Sequence, residues 1–158
     1  RPSNFALFPP AYEKDRGSTQ DAVRAYRTFV DRFPDHKHAT VARTRLENCR
    51  TALADFELYV AKFYLRQKRM RSTVGRLETL FVSFEDVPSR WLEAGELLVT
   101  AYIALGRPGA DGKTPIADGW DKAKSVAERL VAKHPKSREA SRASKAVAGL
   151  PTATVAPQ

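Results

Sequence analysis

The chain has 158 residues, of which 42% are hydrophobic and 28% charged, a balance that describes a folded protein rather than a disordered one. No apolar run approaches the ~20 residues a helix needs to cross a bilayer. Lysine and arginine number 27 against 18 acids, and the resulting +9 favours acidic partners: nucleic acid, anionic lipid or an acidic protein surface. The single cysteine, Cys49, excludes an internal disulfide.

Residues 1–19 read as an irregular lead-in, because Pro9-Pro10 bars a regular helix there. Gly17-Ser18-Thr19 then supplies a helix start, with Ser18 or Thr19 as N-cap. The first helix is predicted over about 20–32. It carries Ala22, Val23, Tyr26, Phe29 and Val30 at helical spacing, and Pro34 closes it. From Asp35 to Val74 the chain has neither proline nor glycine. Within that stretch Ala42, Leu46, Cys49, Leu53, Phe56, Val60 and Phe63 recur at steps of three and four. They draw one apolar stripe on an overlong helix from about 38 to 67, ~45 Å long, and the stripe is expected to be core.

Three more helices are predicted at about 72–83, 90–105 and 120–133, and a shorter basic one from 138 to about 148. Pro88 breaks the chain before the second of these, and Gly106 ends it. Residues 107–119 hold three glycines and two prolines and read as a loop insertion. Residues 149–158 read as a flexible tail. No segment alternates as a strand does. The expected class is all-α, with about five to six helices in one domain over 20–148.

Three of the helices superpose in phase. Ala22-x3-Tyr26-x2-Phe29 leads to Phe33-Pro34, Thr73-x3-Leu77-x2-Leu80 leads to Phe84-Glu85, and Ala123-x3-Ala127-x2-Leu130 leads to His134-Pro135. This matches the second-helix half of the tetratricopeptide pattern, and Ala61-x2-Tyr64 supplies the first-helix half for the middle copy. Each helix pair is too small to bury its apolar face alone, so pairs stack into an α-solenoid.

Nothing in the sequence reads as an active site, a metal centre or a cofactor site. His36 and His38 stand two apart beside Asp35, a poor spacing for one metal, and fit a solvated turn. Gly109-Ala110-Asp111-Gly112-Lys113-Thr114 ends like a phosphate-binding loop but lacks its spacing and its preceding strand. The sharpest signal is basic: Arg66, Lys68, Arg69, Arg71 and Arg76 gather around a helix-to-helix turn, with no acid between Glu57 and Glu78. Arginines concentrated on a surface grip carboxylates bidentately, which suits an acidic protein partner. Tyr59 could add an aromatic anchor. A second cluster, Lys122, Lys124, Arg129, Lys133, Lys136, Arg138, Arg142 and Lys145, reads as a solvated capping helix, with anionic lipid or an acidic subunit as the other reading.

The run Arg45-Leu46-x2-Cys49-Arg50-x2-Leu53-Ala54-x2-Glu57-x2-Val60-Ala61-x-Phe63-Tyr64 closely resembles the middle of the BamD family of outer-membrane assembly lipoproteins. Asp15-Arg16 before Ala22-x2-Ala25-Tyr26-x2-Phe29, and Arg76-Leu77-Glu78 downstream, are similar to further elements of that family. The resemblance covers roughly Tyr12 to Lys133. It implies a non-enzymatic scaffold of the β-barrel assembly machine, at the periplasmic face of the outer membrane of a Gram-negative bacterium. This chain would be the C-terminal half, with earlier repeats and the lipidated cysteine before Arg1. The implied partner is the membrane-proximal POTRA domain of BamA, with other subunits and unfolded outer-membrane proteins as further partners and no nucleic acid. In the family an arginine matching Arg76 pairs with an acidic POTRA residue. Three departures stand out: Cys49 replaces a leucine, Glu85 a closing proline, and Lys68 the glycine after the long helix. The reading from another class is a basic helical-repeat module that binds nucleic acid or another acidic partner.

Overall fold

The computed structural model describes residues 16–107 and 118–151. The expected lead-in up to residue 15, the interior of the insertion and the tail from 152 onward lie outside the described residues. Six helices follow one another, with no strand among the described residues: α1 Arg16–Arg32, α2 Ala39–Arg66, α3 Met70–Ser83, α4 Pro88–Gly106, α5 Gly119–Lys133 and α6 Arg138–Val147. Boundaries fall where the sequence breaks. Pro88 occupies the first turn of α4, where its missing N–H costs nothing. Ser137 caps α6, its hydroxyl accepting from the Ala140 N–H at 3.1 Å. The first helix departs from expectation: it is already formed at Arg16, so Ser18 and Thr19 lie inside it instead of capping it.

The chain divides into two compact units, residues 1–56 and 57–158, and the division falls within α2. In the first unit Val23, Ala39 and Ala42 are buried. The Phe29 ring stands 5.6 Å from Phe33 and 5.4 Å from His36, and Arg43 donates to the Pro34 carbonyl at 2.9 Å across the link between α1 and α2. The repeat motif of α1 is only half-buried here, with Tyr26 and Phe29 partly exposed.

The second unit holds most of the core. Helix α4 is its hub and packs on α3, α5 and α6. The repeat positions Thr73, Leu77 and Leu80 of α3, and Ala123, Ala127 and Leu130 of α5, are all buried. Trp91 is fully buried, stacked on Phe81 at 4.6 Å between ring centroids. Its indole N–H donates to the Phe81 carbonyl at 2.8 Å, which satisfies one of the carbonyls left open at the end of α3. His134 lies against the same indole at 5.7 Å, so its place in the repeat is a packing one. Arg129 covers the Phe81 and Trp91 rings and pairs with Glu85, which also binds Lys133 at 2.7 Å. Those hydrogen bonds, from Lys133 and then Arg129, hold the Glu85 carboxyl below its usual range. Glu85 thus joins the α3–α4 link to α5 by ion pairs. Burial, and then the Glu78 carboxylate that accepts its hydrogen bond, push the Tyr102 phenol upward.

The insertion leaves and re-enters the fold at one point. A Cβ on Gly119 would stand 2.9 Å from the Tyr102 carbonyl oxygen and 3.0 Å from the Gly106 Cα, so α4 and α5 meet backbone to backbone there.

The expected core stripe of α2 is not the buried face. Of its seven residues only Ala42 is buried; Leu46, Cys49, Leu53, Phe56 and Val60 are half-buried, and Phe63 is 43% exposed. Beyond Ala39 and Ala42, the buried positions are Ala54, Glu57, Leu58 and Ala61, about one residue further round the helix. Ala54 and Ala61 are fully buried, and Glu57 goes inward because it finds a cation, Arg76.

A candidate protein-docking surface at the basic turn

The turn between α2 and α3 is built without glycine or proline. The Arg69 N–H donates to the Tyr64 carbonyl at 2.9 Å, and the Lys68 N–H to the Leu65 carbonyl at 3.0 Å. This pair of bonds is the Schellman ending of a helix, and its left-handed residue is Lys68, with φ of 56°. Lys68 stands at the one position in the turn whose positive φ favours glycine over other residues. Helix α3 then begins at Met70 with no side-chain cap and no acid in its first turn, so its free N–H groups add to the positive field. The Arg69 carbonyl accepts from both the backbone N–H and the hydroxyl of Thr73, at 3.0 and 3.1 Å, which fixes the geometry.

Arg66, Lys68, Arg69 and Arg71 are all exposed on this turn. The side chains of Arg66, Lys68 and Arg69 make no ion pair or hydrogen bond among the described residues. Phe63, one helical turn before Gln67, sets an exposed aromatic ring beside them. Arg76 is differently placed. Its side chain is 38% exposed and donates at 3.2 Å to Glu57, whose carboxylate is nearly fully buried. Tyr59 is half-buried. Lys62 reaches Glu93 of α4 at 2.5 Å. The turn therefore brings together three free cations and one aromatic ring, while Arg76 serves an internal carboxylate from its position on α3.

Glu57 is the residue that sequence reasoning missed. Nineteen residues separate it from Arg76, and its signal was positional: it lies between Ala54 and Ala61, on the small-residue face. Elsewhere, His36 and His38 are exposed, with the His36 Nδ1 accepting from the His38 backbone N–H at 3.2 Å, and they line an apolar groove of about 450 Å³ with Tyr26, Phe29 and Val41. No cluster among the described residues has the three donors that would hold a metal.

The profile of the YfiO family, described as an outer membrane lipoprotein, matches residues 3–115. The chain belongs to this family. It is 29% identical over 93 residues to the outer membrane protein assembly factor BamD of Xylella fastidiosa, covering 59% of this chain and 31% of that protein. The BamD of Caulobacter vibrioides is similar to the same degree, 29% over 93 residues, covering 59% of this chain and 30% of that one. The BamD of Neisseria meningitidis is 28% identical over 97 residues, with 61% and 36% covered. The chain spans about a third of the length of the curated relatives it matches. Membership makes the described helices a tetratricopeptide-like array, in line with the phase of their repeats.

Proposed function

We propose that this chain is a non-enzymatic scaffold in outer-membrane protein assembly, held at the periplasmic face of the outer membrane by a lipid upstream of Arg1. It docks the membrane-proximal POTRA domain of BamA through the basic turn, with Arg66, Lys68 and Arg69 as primary contacts and Arg71 and Arg76 beside them. Other assembly subunits and unfolded outer-membrane proteins are its further partners. The observation that carries the reading is Lys68. A lysine in left-handed backbone costs about 1–2 kcal/mol where glycine would cost nothing. Strain of this kind concentrates at functional sites. A free cation kept there, between two free arginines, fits a surface selected for charge rather than for stability.

The test has two parts. In Arg66→Glu/Arg69→Glu the Kd for an isolated POTRA domain, measured by titration calorimetry, rises at least tenfold, about 1.4 kcal/mol. An unchanged Kd in a correctly folded variant would remove the turn from the interface. Lys68→Gly separates stability from binding. It raises the unfolding free energy in denaturant titration by roughly 0.5–1 kcal/mol after the entropy of the unfolded glycine is counted, and it lowers affinity at the same time. A turn with no docking role shows only the first effect.

A further inference from the structure

Helix α6 buries Ala140 and Ala143. At 3.6 residues per turn, Arg138, Arg142 and Lys145 fall on the opposite side, all exposed, with Ser141 beside them. Lys136 extends this stripe into the preceding turn. The one acid of the helix, Glu139, lies off the stripe and is partly buried. Arg142 donates to Glu96 at 3.3 Å yet stays 63% exposed. Lys136, Arg138 and Lys145 make no side-chain bond among the described residues.

A terminal helix needs a polar outer face, but solubility is served by mixed charges, and this stripe has one sign. Helix stability accounts for only part of the stripe: Lys145, in the last turn, complements the macrodipole, and Arg142 pairs with Glu96. Arg138 opens α6, where the macrodipole disfavours a positive charge and Ser137 already caps the first turn.

We propose that the outward face of α6 rests on an anionic phospholipid membrane, a contact additional to the lipid anchor and to the docking turn. It depends on the reading above in one respect, that the protein is held at a membrane. Lys136, Arg138 and Lys145 are exposed along one helix face instead of converging on a pocket, which suits a diffuse negative plane better than a single bound carboxylate. The helix has no aromatic residue, so it offers no stacking platform for single-stranded nucleic acid. Each cation near an anionic surface contributes about fivefold in partitioning, and a tether makes so weak a contact effective.

The test is co-sedimentation of the whole chain with vesicles of phosphatidylcholine, with and without phosphatidylglycerol. The chain binds only the anionic vesicles, and salt weakens the binding. Lys136→Gln/Arg138→Gln/Lys145→Gln, which removes no side-chain bond among the described residues, lowers partitioning about a hundredfold with an unchanged circular dichroism spectrum. Arg66→Gln/Lys68→Gln/Arg69→Gln keeps most of it. Absence of binding to anionic vesicles at low salt overturns the proposal, as does an equal loss in both triple variants. Duplex DNA bound through the same three residues, with no vesicle binding, assigns the stripe to nucleic acid instead. No assembly partner enters the assay, so its failure leaves the docking turn standing, and loss of the docking reading leaves the vesicle result interpretable.

Discussion

Trp91→Ala lowers the unfolding free energy by about 3–5 kcal/mol, the range for removing a fully buried large aromatic side chain. Three losses coincide at this residue. The indole volume leaves a cavity at the hub helix α4, because Trp91 is fully buried and stacked on Phe81. The Phe81 carbonyl loses its donor within the core, an unsatisfied group that costs about 1–3 kcal/mol by itself. Arg129 and His134 lose the ring they pack on, which loosens the join between the α3–α4 link and α5. Trp91→Phe separates these effects: it keeps a stacked ring while removing the hydrogen bond and only part of the indole volume. Thermal unfolding followed by far-ultraviolet circular dichroism ranks wild type above Trp91→Phe, and Trp91→Phe above Trp91→Ala. Equal melting of the two variants would mean that ring stacking contributes nothing, and equal melting of wild type and Trp91→Phe that the indole N–H contributes nothing.

Helix boundaries were legible because they are set locally. Pro88 and Gly106 act within one or two residues of themselves, and the structure follows them. The repeat phase was legible for the same reason: Thr73, Leu77 and Leu80 share a face by spacing alone, and that face is buried. The buried side of α2 was not legible. Two faces competed there, one bulky and apolar (Leu46, Leu53, Phe56, Phe63), the other small and carrying a carboxylate (Ala54, Glu57, Leu58, Ala61). Hydrophobicity favoured the first. The second is the one that is buried, and a cation on α3 meets Glu57 there. Such a choice depends on elements far away in the chain, which periodicity does not see. In the candidate site the cations were visible as a cluster, but their division was not. The left-handed backbone of Lys68 and the engagement of Arg76 both depend on the turn being closed.

The engagement of Arg76 changes what a charge reversal at that residue would report. Arg76→Glu sets a second carboxylate against buried Glu57, so weaker partner binding could follow from a weakened fold alone. Breaking a buried ion pair by removing one partner costs about 3–5 kcal/mol, whereas replacing both with apolar residues of similar volume is often neutral or stabilising. The effect should be asymmetric. Arg76→Met takes the Arg76 bond from an almost wholly buried carboxylate and is expected to cost at most about 3 kcal/mol, because Arg76 is itself partly solvated and Glu57 keeps a further interaction. Glu57→Met leaves an arginine that can turn to solvent and costs less. The double variant, Glu57→Met/Arg76→Met, returns close to wild-type stability in urea denaturation, and a double variant as unstable as Arg76→Met would refute the lock between α2 and α3. The same protein decides what Arg76 does for the partner. If it only fastens α3 to α2, the restored double variant binds the POTRA domain with wild-type affinity. If its exposed guanidinium edge also docks, affinity stays about tenfold down although the fold has recovered.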